Sequence, residues 1–265
     1  MTDNILALDF DGVICDSVGE CLYTAYTCYG PMAGLPPVST LEEISQSLRA
    51  PFYRMRPYVR DGKDYIVILK LILDNSEVSQ QHDFDEQSAL YLPGICASMG
   101  VSSPQDLEEI FQKHRRTIRQ CDEHAWMEMN PLYTGVEQGI KSCSNHFDRI
   151  YVTTSKPTDA ATKILRYYKI DLFAENIYGY DRVQRCQGKN GHLAHLHELT
   201  GRPYSQIHFV DDQVSHLKSA SELGAGCYHA TWGYTTLEQM KDVASYSITL
   251  LEEKHVNSWM QELMS

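Results

Sequence analysis

The stretch Asn4-Ile-Leu-Ala-Leu-Asp-Phe-Asp-Gly-Val13 decides how this chain is read. An apolar run of strand length ends in Asp9-Phe10-Asp11-Gly12. Successive side chains of a strand point to opposite faces, so Asp9 and Asp11 project to one side at the strand's carboxyl end. Two carboxylates that close raise each other's pKa unless a cation or a proton lies between them. A pair of this kind binds a metal, does acid–base chemistry, or both. The competing reading is a strand that runs into an acidic turn, since Asp-Gly is common turn chemistry. The spacing alone does not separate the two.

Outward from this stretch, strands and helices alternate. Residues 149–154 read as a strand and 158–169 as an amphipathic helix with Ile164, Leu165 and Tyr168 on one face. A strand at 176–180 follows, then a helix from about 190 to 200. Residues 207–210 are a strand, 214–223 a helix stopped by Gly224, and 226–230 a strand. Thr235-x-x-Glu238 reads as a capping box opening another helix. Residues 245–251 form a weak strand, and a helix closes the chain. This alternation predicts an α/β fold, a Rossmann-like three-layer α/β/α core around a parallel sheet. Between the first two strands the pattern is helical instead. Ser39-x-x-Glu42 reads as a capping box, 64–73 is strongly apolar, 85–99 is amphipathic, and Ser103-Pro104 opens a helix running to about 122. Residues 30–37 and 130–135 read as loops. The expected organisation is a core of residues 1–16 and 131–265 interrupted by a helical domain, 17–130.

Bulk properties narrow the function. The chain has 265 residues, of which 43% are hydrophobic, enough for a sizeable core. A formal charge of −12 argues against nucleic acid as a partner. No stretch reads as a signal peptide or a membrane span, so no membrane partner is expected. The eight cysteines are scattered without a Cys-x-x-Cys pair and read as reduced thiols, which makes cytoplasmic the expected location.

Four pieces recur in order along the core: Asp9-x-Asp11; Val152-Thr-Thr-Ser-Lys-Pro157; Gly188-Lys189; and Phe209-Val-Asp-Asp212. Each lies near the carboxyl end of a strand or the start of a helix, where open α/β sheets place ligands. As a set they resemble the haloacid dehalogenase superfamily, nearest in style to its phosphoglycolate phosphatase-like branch. The helical insertion sits where that family's C1 cap belongs. The resemblance implies a Mg²⁺-dependent phosphatase that hydrolyses a small phosphate monoester through an aspartyl-phosphate. Asp9 aligns with the nucleophile and Asp11 with the general acid/base. Thr154, with Thr153 as fallback, aligns with the hydroxyl that contacts a phosphoryl oxygen, and Ser155 with a neighbouring substrate contact. Lys189, with Lys156 as a rival, aligns with the charge-neutralising lysine. Asp211 and Asp212 align with the acidic pair that holds Mg²⁺, together with Asp9 and Asp11. Superfamily dehalogenases lack the second aspartate of the first motif, so Asp11 favours phosphate esters over carbon–halogen bonds. The same motifs leave two alternatives, a phosphomutase acting on a sugar phosphate and a catalytically silent binding module.

The expected partner is a small phosphorylated metabolite; the oligomeric state is not legible. Four arginines, Arg49, Arg54, Arg56 and Arg60, crowd one segment of an otherwise acidic chain. Arginine suits bidentate contact with carboxylate or phosphate, so Arg54, Arg56 and Arg60 are candidates for reading a second anionic group on the substrate. The alternative is a solvated segment balancing nearby acids. His192, His195 and His197 fall on one predicted helix, but only the first two share a face, which argues against a histidine metal site. Trp232-Gly233-Tyr234 resembles a family turn near the active-site rim, with core packing as the alternative.

Overall fold

A computed structural model describes residues 3–182, 188–243 and 245–265. Cys186 lies outside them; the other seven cysteines form no disulfide among the described residues. The chain divides into two compact units, Met1–Asp16 with Pro131–Ser265, and Ser17–Asn130.

The second unit is helical: α1 (Val18–Tyr29), α2 (Gln46–Met55), α3 (Gly62–Leu73), α4 (Gln81–Ser98), α5 (Pro104–Cys121) and α6 (Glu123–Glu128). Helix α3 is its centre, because Tyr65 to Leu69 and Leu71 are all buried. A helix apolar around its circumference must be covered on several sides, and α3 packs on α1, α2, α4 and α5. Tyr65 stacks between Phe52 and Phe111, with ring centroids 5.9 and 5.6 Å away. Glu20 is fully buried on α1, and its carboxylate accepts from Arg115 Nε of α5 at 2.9 Å on both oxygens. That pairing offsets the cost of taking the charge out of water.

Side-chain caps fix several helix starts. Ser103 Oγ accepts the Asp106 N–H at 3.2 Å, with Pro104 in the first helical position. Asp64 accepts the N–H groups of Arg60 and Asp61 ahead of α3. The box expected at Ser39-x-x-Glu42 does not form. Glu43 takes the Ser39 N–H at 2.9 Å, and the turn Leu41–Glu43 ends at Ile44 in extended backbone, so no α-helix propagates.

The first unit alternates β1 (Ile5–Leu8), α7 (Thr134–Ser142), β2 (Ile150–Thr153), α8 (Thr158–Tyr167), β3 (Ile177–Tyr178), α9 (Gly188–Thr200), β4 (Ile207–Asp211), α10 (Val214–Glu222), β5 (Gly226–Ala230), α11 (Leu237–Val243), β6 (Ile248–Leu251) and α12 (Glu253–Met264). The strands form one parallel sheet in the order β3-β2-β1-β4-β5-β6 with flanking helices, a Rossmann-like α/β core. Strands covered on both faces read as unbroken apolar runs, and every residue of β1 and β2 is buried. Helix α7 packs on α12, and α9 on α10.

Two expectations shift. The strand expected over 176–180 contracts to Ile177–Tyr178, the only residues of that stretch that pair with β2. The box at Thr235-x-x-Glu238 moves one residue on: Thr236 Oγ1 accepts from Gln239 N, and Gln239 Oε1 from Thr236 N. A glutamine carboxamide can close the box as well as a glutamate. Among the described residues no helix is long and apolar enough to cross a membrane.

The topology creates one special place. Strand β1 is flanked by β2 on one side and β4 on the other, so the chain leaves it in opposite senses. Open α/β sheets hold ligands at the carboxyl ends of strands where the order reverses in this way. Leu8 is level with Val152 and Val210, so Asp9, Thr153 and Asp211 leave three adjacent strands together.

Candidate active site

The first loop is wound tightly after β1. The Ile14 and Cys15 N–H groups both donate to Phe10 O, at 2.9 and 2.8 Å, and Gly12 N to Cys15 O at 2.8 Å. Gly12 sits at φ +91°, and a Cβ there would overlap the Asp212 carboxylate and the Tyr234 ring. Glycine is required on both counts. Trp232 Nε1 donates to Val13 O at 3.1 Å, and Tyr234 Oη to Asp16 at 3.0 Å. The Trp-Gly-Tyr turn therefore clasps the first loop, as well as contributing packing.

Asp9 is buried, and its Oδ1 accepts both the Phe10 N–H at 2.7 Å and Lys189 Nζ at 2.6 Å. Lys189, near the start of α9, also donates to Thr153 O at 2.5 Å and lies 3.7 Å from Asp211. Asp211 and Asp212 leave the end of β4, both buried. Asp211 accepts Gln213 N at 2.8 Å and pairs with His216 at 3.0 Å. Asp212 Oδ2 accepts Tyr234 N at 2.7 Å, and its carbonyl lies 3.1 Å from His229 Nε2.

One oxygen from each of Asp9, Asp211 and Asp212 lies within 4.8 Å of the others. Three buried carboxylate oxygens are the donor set of a hard divalent cation. The electrostatics show what the cluster costs without one. Burial, and then the neighbouring Asp211, push Asp9 up to about 6 against the pull of Lys189. Burial works against the charge on Lys189 too, but Asp9 and Asp211 outweigh it and hold the ammonium above its ordinary pKa. For Asp211 the cations win: His216 and Lys189 overcome desolvation and hold it below the usual carboxylate range. His216 rises in return, because Asp211 outweighs its burial.

Asp11 stands apart from this cluster. Its Oδ1 lies 3.2 Å from Nζ of Lys156, a lysine buried to 1% side-chain exposure. The Thr154 hydroxyl accepts Lys156 N–H at 2.9 Å, which leaves its own hydrogen to donate elsewhere. Thr153 Oγ1 is buried with no hydrogen-bond partner among the described residues. Ser155 is exposed at the same turn. The two lysines that compete for one role in the sequence thus have different partners.

Arg54, Arg56 and Arg60 belong to the helical unit. Arg54 is exposed, and Arg60 is a surface residue paired with Asp85 at 2.8 Å. Arg56 is half-buried, its guanidinium 5.4 Å from the centre of the Tyr65 ring. His192 is held neutral, its pKa lowered to about 4 by burial and by Lys189. Sequence reasoning missed His216, His229 and the clasp of Tyr234 on Asp212. The signal for His216 was its place on the first turn after Asp211-Asp212, where a helix returns a side chain toward the strand end.

No protein-family model matches the sequence. Solved structures match along the whole chain. One is described as a predicted phosphoglycolate phosphatase from Haemophilus somnus, 16% identical, covering 98% of this chain and 99% of its own, at a TM-score of 0.64. Another is a hydrolase of the haloacid dehalogenase-like family from Streptococcus pneumoniae, 13% identical, covering 98% and 100%, at 0.57. The chain has the haloacid dehalogenase-like fold. A predicted phosphatase from Clostridium acetobutylicum shares this fold at 14% identity and a TM-score of 0.62, covering 98% of this chain and 99% of its own. A curated 5'-nucleotidase from Pseudomonas aeruginosa is 23% identical over 112 residues, 42% of this chain. That match spans 51% of the curated protein's length.

Proposed function

We propose that the protein is a Mg²⁺-dependent phosphatase that hydrolyses small phosphate monoesters through an aspartyl-phosphate on Asp9. The observation that carries this reading is the convergence of Asp9, Asp211 and Asp212 beside Lys189 at the point where the strand order reverses. Both hydrogen bonds described at Asp9 fall on Oδ1, so Oδ2 is the oxygen that attacks phosphorus. The bond to the leaving alcohol oxygen breaks as the Asp9–phosphorus bond forms, and Asp11 gives that oxygen a proton. Asp11 then takes a proton from water, whose oxygen attacks phosphorus and releases inorganic phosphate and Asp9. Thr154 donates its hydroxyl hydrogen to a phosphoryl oxygen, and Ser155 lies at the same turn. Lys189 offsets the charge that a carboxylate and a phosphoryl group bring together. Asp9, Asp211 and Asp212 would hold Mg²⁺, while the Asp11 carboxylate, outside their cluster, faces Lys156. When bound, the ion offsets negative charge on the phosphoryl oxygens.

Phosphate release from 4-nitrophenyl phosphate tests the reading. Release is expected with Mg²⁺ and is expected to stop with EDTA; a chain inert on this ester and on a metabolite panel, phosphoglycolate and 5'-mononucleotides included, refutes it.

Proton competition at Asp9 gives a second prediction. Mg²⁺ needs the carboxylate ionised, and Asp9 in the metal-free protein holds its proton up to about pH 6. Affinity is therefore expected to fall about tenfold from pH 7 to pH 5. Calorimetric titration at both values checks this; equal affinities would show that Asp9 does not ligate the ion.

The helical unit supplies substrate selection in this reading. Of its candidate arginines, Arg56 lies against the Tyr65 ring and Arg60 pairs with Asp85. Arg56→Ala is expected to raise KM about tenfold for esters with a second anionic group and to leave 4-nitrophenyl phosphate within about twofold. Equal changes for both would remove Arg56 from substrate recognition; the same assay on Arg54→Ala and Arg60→Ala ranks the other two.

A further inference from the structure

We propose that Lys156 is a positioning residue for the acid/base step, holding the Asp11 carboxylate and the Thr154 hydroxyl in working orientation; this rests on the phosphatase reading above. Among the described residues two buried lysines lie in one unit and meet different carboxylates. Lys189 binds Asp9 and approaches Asp211, whereas Lys156 binds Asp11 at 3.2 Å. A lysine at 1% side-chain exposure has little room to turn away, so its contact at 3.2 Å limits where the Asp11 carboxyl group can sit.

The geometry gives Lys156 a grip on both parts of the machinery. Its backbone N–H donates to Thr154 Oγ1 at 2.9 Å, which fixes the hydroxyl as acceptor there and frees its hydrogen for a phosphoryl oxygen. Pro157 follows and restricts the backbone, and α8 begins at Thr158. From that anchored backbone the side chain crosses to the first loop. Its ammonium lies 5.8 Å from the centre of the Phe10 ring and forms the ion pair with Asp11. Asp11 itself is only half-buried, on a loop that turns at Gly12. A proton donor must stay within hydrogen-bond reach of a single oxygen, and a displacement of about 1 Å costs on the order of 10²-fold.

A purely structural role and a positioning role separate by leaving group. Departure of 4-nitrophenolate needs little help from an acid, whereas the more basic phenolate needs a proton. Lys156→Met is expected to lower kcat/KM on the order of 10²-fold for phenyl phosphate and by less than about tenfold for 4-nitrophenyl phosphate. Lys156→Arg keeps the charge and is expected to bring the two losses back together. Lys156→Gln reads the same contrast if the methionine variant does not fold. Equal losses on both esters in an active, folded variant overturn the inference alone. Wild-type protein that releases phosphate from neither ester nor from the metabolite panel overturns the phosphatase reading and this inference with it.

Discussion

Asp9→Asn is expected to abolish phosphate release, by on the order of 10⁴-fold or more, while the protein melts no lower than wild type in EDTA. The two halves have one cause. The amide keeps an oxygen where Oδ1 accepts from Phe10 and Lys189, so the local hydrogen bonds survive. It cannot attack phosphorus, and it brings no charge to a cluster that already holds Asp211 and Asp212. Burial and Asp211 place Asp9 at about 6, above its ordinary 3.8. A carboxyl raised in the folded state is protonated in both states below about pH 4, and there it costs nothing relative to the amide. Between 4 and 6 the unfolded chain ionises first, and stability falls as pH rises. Above 6 the full penalty stands, about 3 kcal/mol for a two-unit shift. The melting advantage of Asp9→Asn is therefore expected to be near zero at pH 4 and largest at pH 7.5, with Mg²⁺ reversing it by stabilising only the carboxylate. Thermal melts at both pH values, with and without the metal, check this. An active variant would remove Asp9 from the chemistry, and a variant that melts lower in EDTA at pH 7.5 would show that Lys189 outweighs the repulsion.

The fold was legible because its strongest signals are local. A strand buried on both faces must be apolar at every residue, and residues 5–8 and 150–152 are. Helix caps are local too, yet one box does not form and another lies one residue further on. Ser39 and Glu42, or Thr235 and Glu238, match the box pattern, and their neighbours Glu43, Thr236 and Gln239 do the bonding. Propensity ranks such neighbours nearly equal, and the backbone path chooses. The aspartates and lysines that converge were legible for a different reason. Charged residues at the end of an apolar strand have no packing role there, so their position alone draws notice. What the sequence could not show is who faces whom. Lys156 and Lys189 are equivalent candidates as text; the parallel register of β2, β1 and β4 and the path of α9 sort one to Asp11 and the other to Asp9. His216 and Tyr234 were hidden likewise, because each acts on an aspartate across a turn whose geometry only the folded chain defines.

Lys189→Met is the companion test, because it removes the cation rather than the charge it opposes. The side chain is 9% exposed, with Asp9 at 2.6 Å and Asp211 at 3.7 Å. Deleting one partner of a buried ion pair leaves the other charge uncompensated, at a cost of about 3–5 kcal/mol. Asp9 can escape part of that cost by taking a proton, since it already titrates near 6 with the lysine present. The destabilisation is thus expected to grow as pH rises above 6 and to be clearly smaller at pH 5 than at pH 7.5, read by chemical denaturation in EDTA. Mg²⁺ brings positive charge back to the same carboxylates, so it should recover more stability in the variant than in wild type. It does not place a donor where Lys189 stands against the phosphoryl group, and turnover should stay down on the order of 10²–10³-fold at saturating Mg²⁺. Stability restored without activity identifies two tasks for one lysine, holding the cluster together and stabilising the transferred phosphoryl. Stability and turnover both recovering with the ion would reduce Lys189 to a counter-charge that any cation can replace.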